Sequence, residues 1–185
     1  RENIERAIKK SSDKAMDSFE EIRYEGFGPA GTSIIVEALT DNRNRSAADV
    51  RAIFQKNGGS FAESGSVSHQ FIRYGFLKYP STISSQDDFF SFAIEAGAED
   101  CLFEDDCFEA LCLPENLSIF YSSLESIFRE PESSGFLWKP SSFVEVKGEK
   151  VKTLFNLLDE LDDNEDVQSV FSNYDVSEED ISSLA

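Results

Sequence analysis

The chain has 185 residues, 40% of them hydrophobic, with 17 Phe, and a formal net charge of −19. That is enough apolar material for one domain or two smaller ones, which excludes a disordered or fibrous chain, and no apolar run approaches the roughly 20 residues that span a bilayer. Three cysteines, Cys101, Cys107 and Cys112, are an odd number in a chain too large to need disulfides, and no signal peptide is visible, so a soluble cytoplasmic protein with reduced thiols and no membrane partner is expected.

RENIERAIKK reads as the middle or end of an amphipathic helix, a junction over residues 1–18 from a preceding domain. After a polar break, EEIRYEG alternates Ile22 and Tyr24 with charged neighbours, as a half-buried strand would. GFGPAG carries Gly26, Gly28 and Gly31 with the letters of a dinucleotide fingerprint, but Pro29 and the β-branched run TSIIVEAL follow instead of a helix. It reads as a tight loop between two strands, whose backbone N–H groups could still meet a phosphate. Residues 41–46 turn the chain, Ser46 is the expected N-cap with Asp49 at N3, and Ala47, Val50, Ile53 and Phe54 form one apolar face. Asn57, Gly58 and Gly59 supply a left-handed stop. GSVSHQFIRY is expected to return as a strand.

From about residue 76 the pattern restarts. FLKY reads as a strand, Ser85 caps a helix through Ala96, FEALCL is a strand, and a helix from Pro114 to Arg129 sets Leu117, Phe120, Tyr121, Leu124 and Phe128 on one stripe. PESSG signals a turn before a strand near SFVEVK. A further helix spans roughly Glu149 to Leu161, with Val151, Leu154, Phe155, Leu158 and Leu161 in register, and DVQSVFSN closes with a strand. The expected fold is α+β: two α/β sandwich domains with ferredoxin-like layers and mainly antiparallel sheets, the second inserted into the first. The boundaries are 19–75 plus 148–185 for the interrupted domain and 76–147 for the inserted β-α-β-α-β unit.

No constellation for catalysis stands out. ESGSV is not a nucleophile elbow, and His69 is the single histidine. The cysteine spacing does not suit zinc, and DELDDNED lacks the glycine and alternating ligands of a calcium loop. No enzyme, cofactor, metal or small-molecule substrate is expected. Residues 1–80 carry 12 Lys/Arg against 11 Asp/Glu, whereas residues 81–185 carry 5 against 25. The acidity of the second half serves solubility or attracts a basic protein surface, and Glu104, Asp105 and Asp106 are the candidates for such docking.

Within the acidic chain, TDNRNRSAADVRAIFQKNGG gathers Arg43, Arg45, Arg51 and Lys56. Arg43 and Arg45 are expected in the loop before a helix N-terminus, where the dipole already disfavours cations. An anion nearby would offset that: either Asp41, Asp49 or a carboxylate of the second half, or an external phosphate. Arg51 lies beside the apolar stripe and Lys56 on the far flank, so the four need not share one surface.

This stretch, with YEGFGPAG before it and ESGSVSHQF after it, resembles the YebC/PmpR family; NIERAIKK, EAGAED and DVQSVFSN are weaker matches in the same order. The resemblance implies three domains, with a Lys- and Arg-rich helical domain expected ahead of NIERAIKK and expected to be missing here, and it agrees with the interrupted architecture. GPAG stands where many relatives have a second consecutive glycine. The resemblance further implies a gene-expression role: bacterial members are named probable DNA-binding transcriptional regulators, members act on ribosomes stalled at proline-rich stretches, and mitochondrial relatives activate translation of cytochrome c oxidase. DNA or ribosomal RNA is therefore the expected partner, contacted through Arg43, Arg45, Arg51 and Lys56 with the loop backbones at Gly26, Gly28, Gly31, Gly58 and Gly59. A basic protein docking on the acidic unit is the alternative.

Overall fold

A computed structural model describes residues 18–185, so the helix and junction expected before residue 18 lie outside the described residues. The chain divides into two compact units: a discontinuous one, up to Ile72 and again over Pro140–Ala185, and an inserted one, Arg73–Lys139.

The discontinuous unit opens with β1 (Glu20–Phe27), β2 (Ser33–Thr40), α1 (Arg43–Lys56) and β3 (Ser60–Ala62). β4 (Phe71–Pro80) leads into the inserted unit, followed by α2 (Gln86–Glu95), β5 (Asp100–Glu104), β6 (Cys107–Cys112), α3 (Leu117–Phe128) and β7 (Ser133–Pro140). The chain then returns through β8 (Val144–Glu145), α4 (Glu149–Asp163), β9 (Val167–Ser172), β10 (Tyr174–Asp175) and the short α5 (Glu178–Ser182).

Four strands of the discontinuous unit form an antiparallel sheet in the order β3-β1-β2-β9. Period-two alternation turns Tyr24, Ile34, Val36 and Ala38 to one face. There they pack with Val50 and Phe54 of α1 and Val151, Leu154, Leu157 and Leu161 of α4. The alternation also points Glu25 away from this core, yet Glu25 is only 1% exposed. Its carboxylate accepts N–H bonds from Gly65, Val67 and Ser68, the latter two at 3.0 and 2.6 Å. That bonding draws residues 63–70 into a loop ending in a 3-10 turn at Ser68–Gln70, so the strand expected from residue 65 begins only at Phe71.

The inserted unit orders its strands β5-β6-β4-β7, a β-α-β-β-α-β arrangement with one strand more than expected. Phe89 and Ala93 of α2 and Phe120, Leu124 and Phe128 of α3 cover Leu77, Tyr79, Phe108, Ala110 and Cys112 on one face. Asp105 and Asp106 both have positive φ, 50° and 56°, and join β5 to β6 in a two-residue turn of the kind that matches strand twist. The strand expected near SFVEVK is reduced to β8, which pairs in parallel with β10 of the discontinuous unit. Residues 140–147 therefore go with that unit, and the expected α+β fold, with two largely antiparallel units and one inserted in the other, is the fold observed.

Ala30, in the GPAG loop, has φ 64°. A Cβ in the left-handed region costs about 1–2 kcal/mol, and part of the relief a glycine brings is offset by its greater freedom when unfolded. Ala30→Gly is expected to raise stability by about 0.5–1 kcal/mol, read as a higher urea midpoint at unchanged slope.

Candidate nucleic-acid interface

α1 starts earlier than its apolar stripe suggests. Asn42 is the N-cap, accepting from the Arg45 N–H at 3.0 Å, while Ser46 lies buried inside the first turns with an unpartnered hydroxyl. Arg43 and Arg45 are thus helical residues of the first turn and not loop residues. No acidic residue lies in that turn to complement the helix dipole, and the compensation comes from outside the helix.

The four cations meet different partners. Arg45 reaches Asp41 at 3.1 Å and Asp166, just before β9, at 3.0 Å. Lys56 pairs with Glu160 of α4 at 2.9 Å, and with Asn57 it holds the Glu160 carboxyl below its ordinary value. The Arg51 guanidinium stands 4.9 Å from the centroid of Phe61 on β3. Arg43 makes only a 3.5 Å contact with Glu20, both side chains more than half exposed. Arg45 and Lys56 therefore lie toward α4 and its following loop, Arg51 lies toward the β3 edge, and the four do not converge on one patch.

The glycines serve packing and turn geometry. A Cβ on Gly26 would stand 2.6 Å from the Phe54 ring and 2.8 Å from the Ser60 carbonyl, and one on Gly59 would stand 2.6 Å from the Phe27 carbonyl. Their smallness lets α1 close onto β1 and β3. The N–H groups of Gly28 and Gly31 donate to Thr32 and Gly28 carbonyls, and that of Gly59 donates to Phe54. Gly58 takes the left-handed stop at φ 70°. The Gly28, Gly31 and Gly59 amides are thus engaged within the chain.

The family model described as "TACO1/YebC second and third domain" matches residues 19–174. The chain belongs to the TACO1/YebC family. A relative from Maricaulis maris named "Probable transcriptional regulatory protein" is 44% identical over 190 residues, covering 100% of this chain and 75% of the relative. The crystal structure of a conserved hypothetical protein from Aquifex aeolicus superposes with a TM-score of 0.84 at 38% identity, covering 96% of this chain and 74% of that one.

In this TACO1/YebC chain, Glu104, Asp105 and Asp106 sit exposed at the β5–β6 turn. No helix among the described residues is long and apolar enough to cross a membrane. Sequence reasoning passed over one cluster altogether: Arg73 on β4, whose guanidinium stands 4.4 Å from the Phe136 ring centroid and 5.9 Å from that of Trp138 on β7. A lone arginine in a strand gives no local signal, and its partner strand reads as a turn because it opens with SSG.

Proposed function

We propose that the chain is a non-enzymatic regulator of gene expression that contacts nucleic-acid phosphate through α1, with Arg43 and Arg51 as the contacting side chains. The observation that carries this reading is an exposed Arg43 in the first turn of a 14-residue helix with no acid of its own in that turn. A phosphate there would meet both a guanidinium and the positive helix end. The name of the Maricaulis maris relative supports the regulatory part. Arg45 and Lys56 already face carboxylates of the same unit, Asp41, Asp166 and Glu160, which leaves Arg43 and Arg51 the cations with less competition for a phosphate. Phosphate contact is common to duplex DNA and ribosomal RNA, and action on stalled ribosomes is the translational form of the same proposal.

Arg43→Ala combined with Arg51→Ala is expected to weaken binding to all sequences and to flatten the dependence of log K on log salt by roughly one unit per lost contact. Fluorescence anisotropy of labelled duplex DNA and ribosomal RNA fragments across a salt series checks this. An unchanged slope for both nucleic acids would remove α1 from the interface.

A second reading is favoured by the exposed acidic turn in a unit holding 13 Asp/Glu against 4 Lys/Arg over residues 73–139: docking on a basic protein. The combined change Glu104→Gln, Asp105→Asn and Asp106→Asn removes the charge while retaining residues that tolerate the turn. Under this reading it abolishes association with a basic ribosomal protein and leaves the Arg43 and Arg51 dependence untouched.

A further inference from the structure

We propose that Arg73, Phe136 and Trp138 form a second binding site, on the inserted unit, that takes an unpaired nucleotide of single-stranded nucleic acid. The proposal rests on the preceding reading only in its expectation that nucleic acid is the ligand; its residues belong to the other unit.

The site follows from where α3 begins. Gly75 on β4 lies under the first residue of that helix, since a Cβ there would stand 3.1 Å from Leu117 Cβ and 3.0 Å from Cys112 Sγ. Two residues earlier, on the same strand face, Arg73 lies past the start of the helix and is exposed. β7, its neighbour, is an edge strand, and Phe136 and Trp138, two apart, project to one side of it. The result is a guanidinium against two aromatic rings at the unroofed end of the sheet, with Phe136 still 40% exposed.

The chemistry of the cluster selects its ligand. Among the described residues no carboxylate pairs with Arg73, although acids outnumber bases 13 to 4 in this unit. Its planar fork of donors therefore remains available to a phosphate oxygen, and both aromatic and guanidinium faces stack on nucleobases. The acidic surroundings disfavour tracking a long polyanion, so stacking must supply most of the affinity, with a shallow salt dependence. Stacking needs a bare base face. A duplex hides it and a single strand offers it.

Trp138 is the only tryptophan in the chain, so its emission reports on this site directly. The full chain would be titrated with mixed-sequence single-stranded RNA and DNA of about 12 nucleotides, a length within the usual site sizes, and with the matching duplexes. Tryptophan emission and the anisotropy of labelled strands would both be followed. The single strands are expected to quench Trp138 and the duplexes not. Phe136→Ala and Arg73→Ala are each expected to weaken quenching affinity by about tenfold, and Arg73→Lys, which keeps charge without the planar stack, not to restore it. Both side chains are exposed; if Phe136→Ala melts early, Phe136→Leu keeps the apolar bulk without the ring.

Binding by anisotropy with unchanged tryptophan emission, or full affinity in the Phe136 variants, overturns the site and leaves the α1 reading standing. Quenching that persists while Arg43→Ala with Arg51→Ala changes nothing sinks the α1 reading alone. If no oligonucleotide binds the wild-type chain, both fall.

Discussion

Replacing Glu25 by Ala is expected to destabilise the discontinuous unit by about 3 kcal/mol, because three backbone N–H groups lose a charged acceptor at once. Those donors belong to Gly65, Val67 and Ser68, some forty residues along the chain. Glu25→Gln separates shape from charge. Its amide oxygen can still accept from Val67 and Ser68, but its NH2 group would face the Gly65 N–H, donor against donor, so about 2 kcal/mol of the loss should remain. Urea unfolding measures the loss, and hydrogen exchange localises it: the amides of residues 65, 67 and 68 should exchange faster before the sheet does. If Glu25→Gln keeps both the midpoint and the protection, the carboxylate does not hold this loop.

The same site has a signed pH dependence. Burial pushes the Glu25 carboxyl up, but the N–H bonds from Gly65, Val67 and Ser68, with the Ser68 hydroxyl, outweigh burial and hold it below its ordinary value of 4.5. A carboxyl depressed in the folded state contributes stability that is fully present above its unfolded value and lost as pH falls through its folded value. The stability gap between wild type and Glu25→Gln should therefore be widest near neutrality and narrow on acidification below about pH 4.5. A gap that stays constant down to acid pH contradicts the depressed titration.

The elements that sequence reading located are those whose signal is local. The stripe Val50, Ile53 and Phe54 marks α1, the Ser85 hydroxyl caps α2 by accepting from the Asp88 N–H, and Val151, Leu154 and Leu161 mark α4. Even there one core residue is missing from the expected stripe, since α4 also buries Leu157, while Phe155 and Leu158 pack half-buried against the same core. What escaped depends on distant partners. Ser46 is as competent a cap as Asn42 by residue type, and the bond that Asn42 accepts from the Arg45 N–H shows that the helix begins a turn earlier. Gly75 sits inside continuous β4, across the expected boundary at residues 75–76, and Leu117 leaves little room there for a side chain. β3, β5 and β7 are edge strands with small or charged residues at their ends, the composition that also marks turns. For the same reason the candidate interface was legible as a set of cations but not as a set of pairings: all four are exposed, with Arg45 and Lys56 in close ion pairs and, among the described residues, Arg43 and Arg51 outside any contact shorter than 3.5 Å to a carboxylate.

Asn173→Leu is expected to cost about 3 kcal/mol, and its variant Asn173→Asp to respond to pH in the sense opposite to Glu25. Asn173 is fully buried and accepts the Ser33 N–H on its Oδ1 at 2.7 Å, while its Nδ2 donates to Gln70 Oε1 at 3.4 Å. Its own backbone accepts the Val144 N–H at 2.8 Å, and Ser141 donates to the Gln70 carbonyl at 2.8 Å. These bonds join the start of β2 to the residues just before the chain leaves the discontinuous unit and just after it returns. Leucine matches the volume but strands the Ser33 N–H, itself only 1% exposed, without an acceptor. Aspartate restores that acceptor but places a charge at a fully buried position, where desolvation raises its titration point in the folded state. A carboxyl raised on folding costs stability above its folded value and is relieved as pH falls through it. Asn173→Asp should thus gain on the wild type on acidification, as pH falls from its raised folded value towards the ordinary aspartate value, whereas the Glu25 contribution is lost only below about pH 4.5. Urea midpoints of the wild type and both variants at neutral and acid pH test this. Equal loss for Asn173→Asp and Asn173→Leu at every pH would show that the Ser33 N–H finds another partner and that Asn173 is held there by its shape alone.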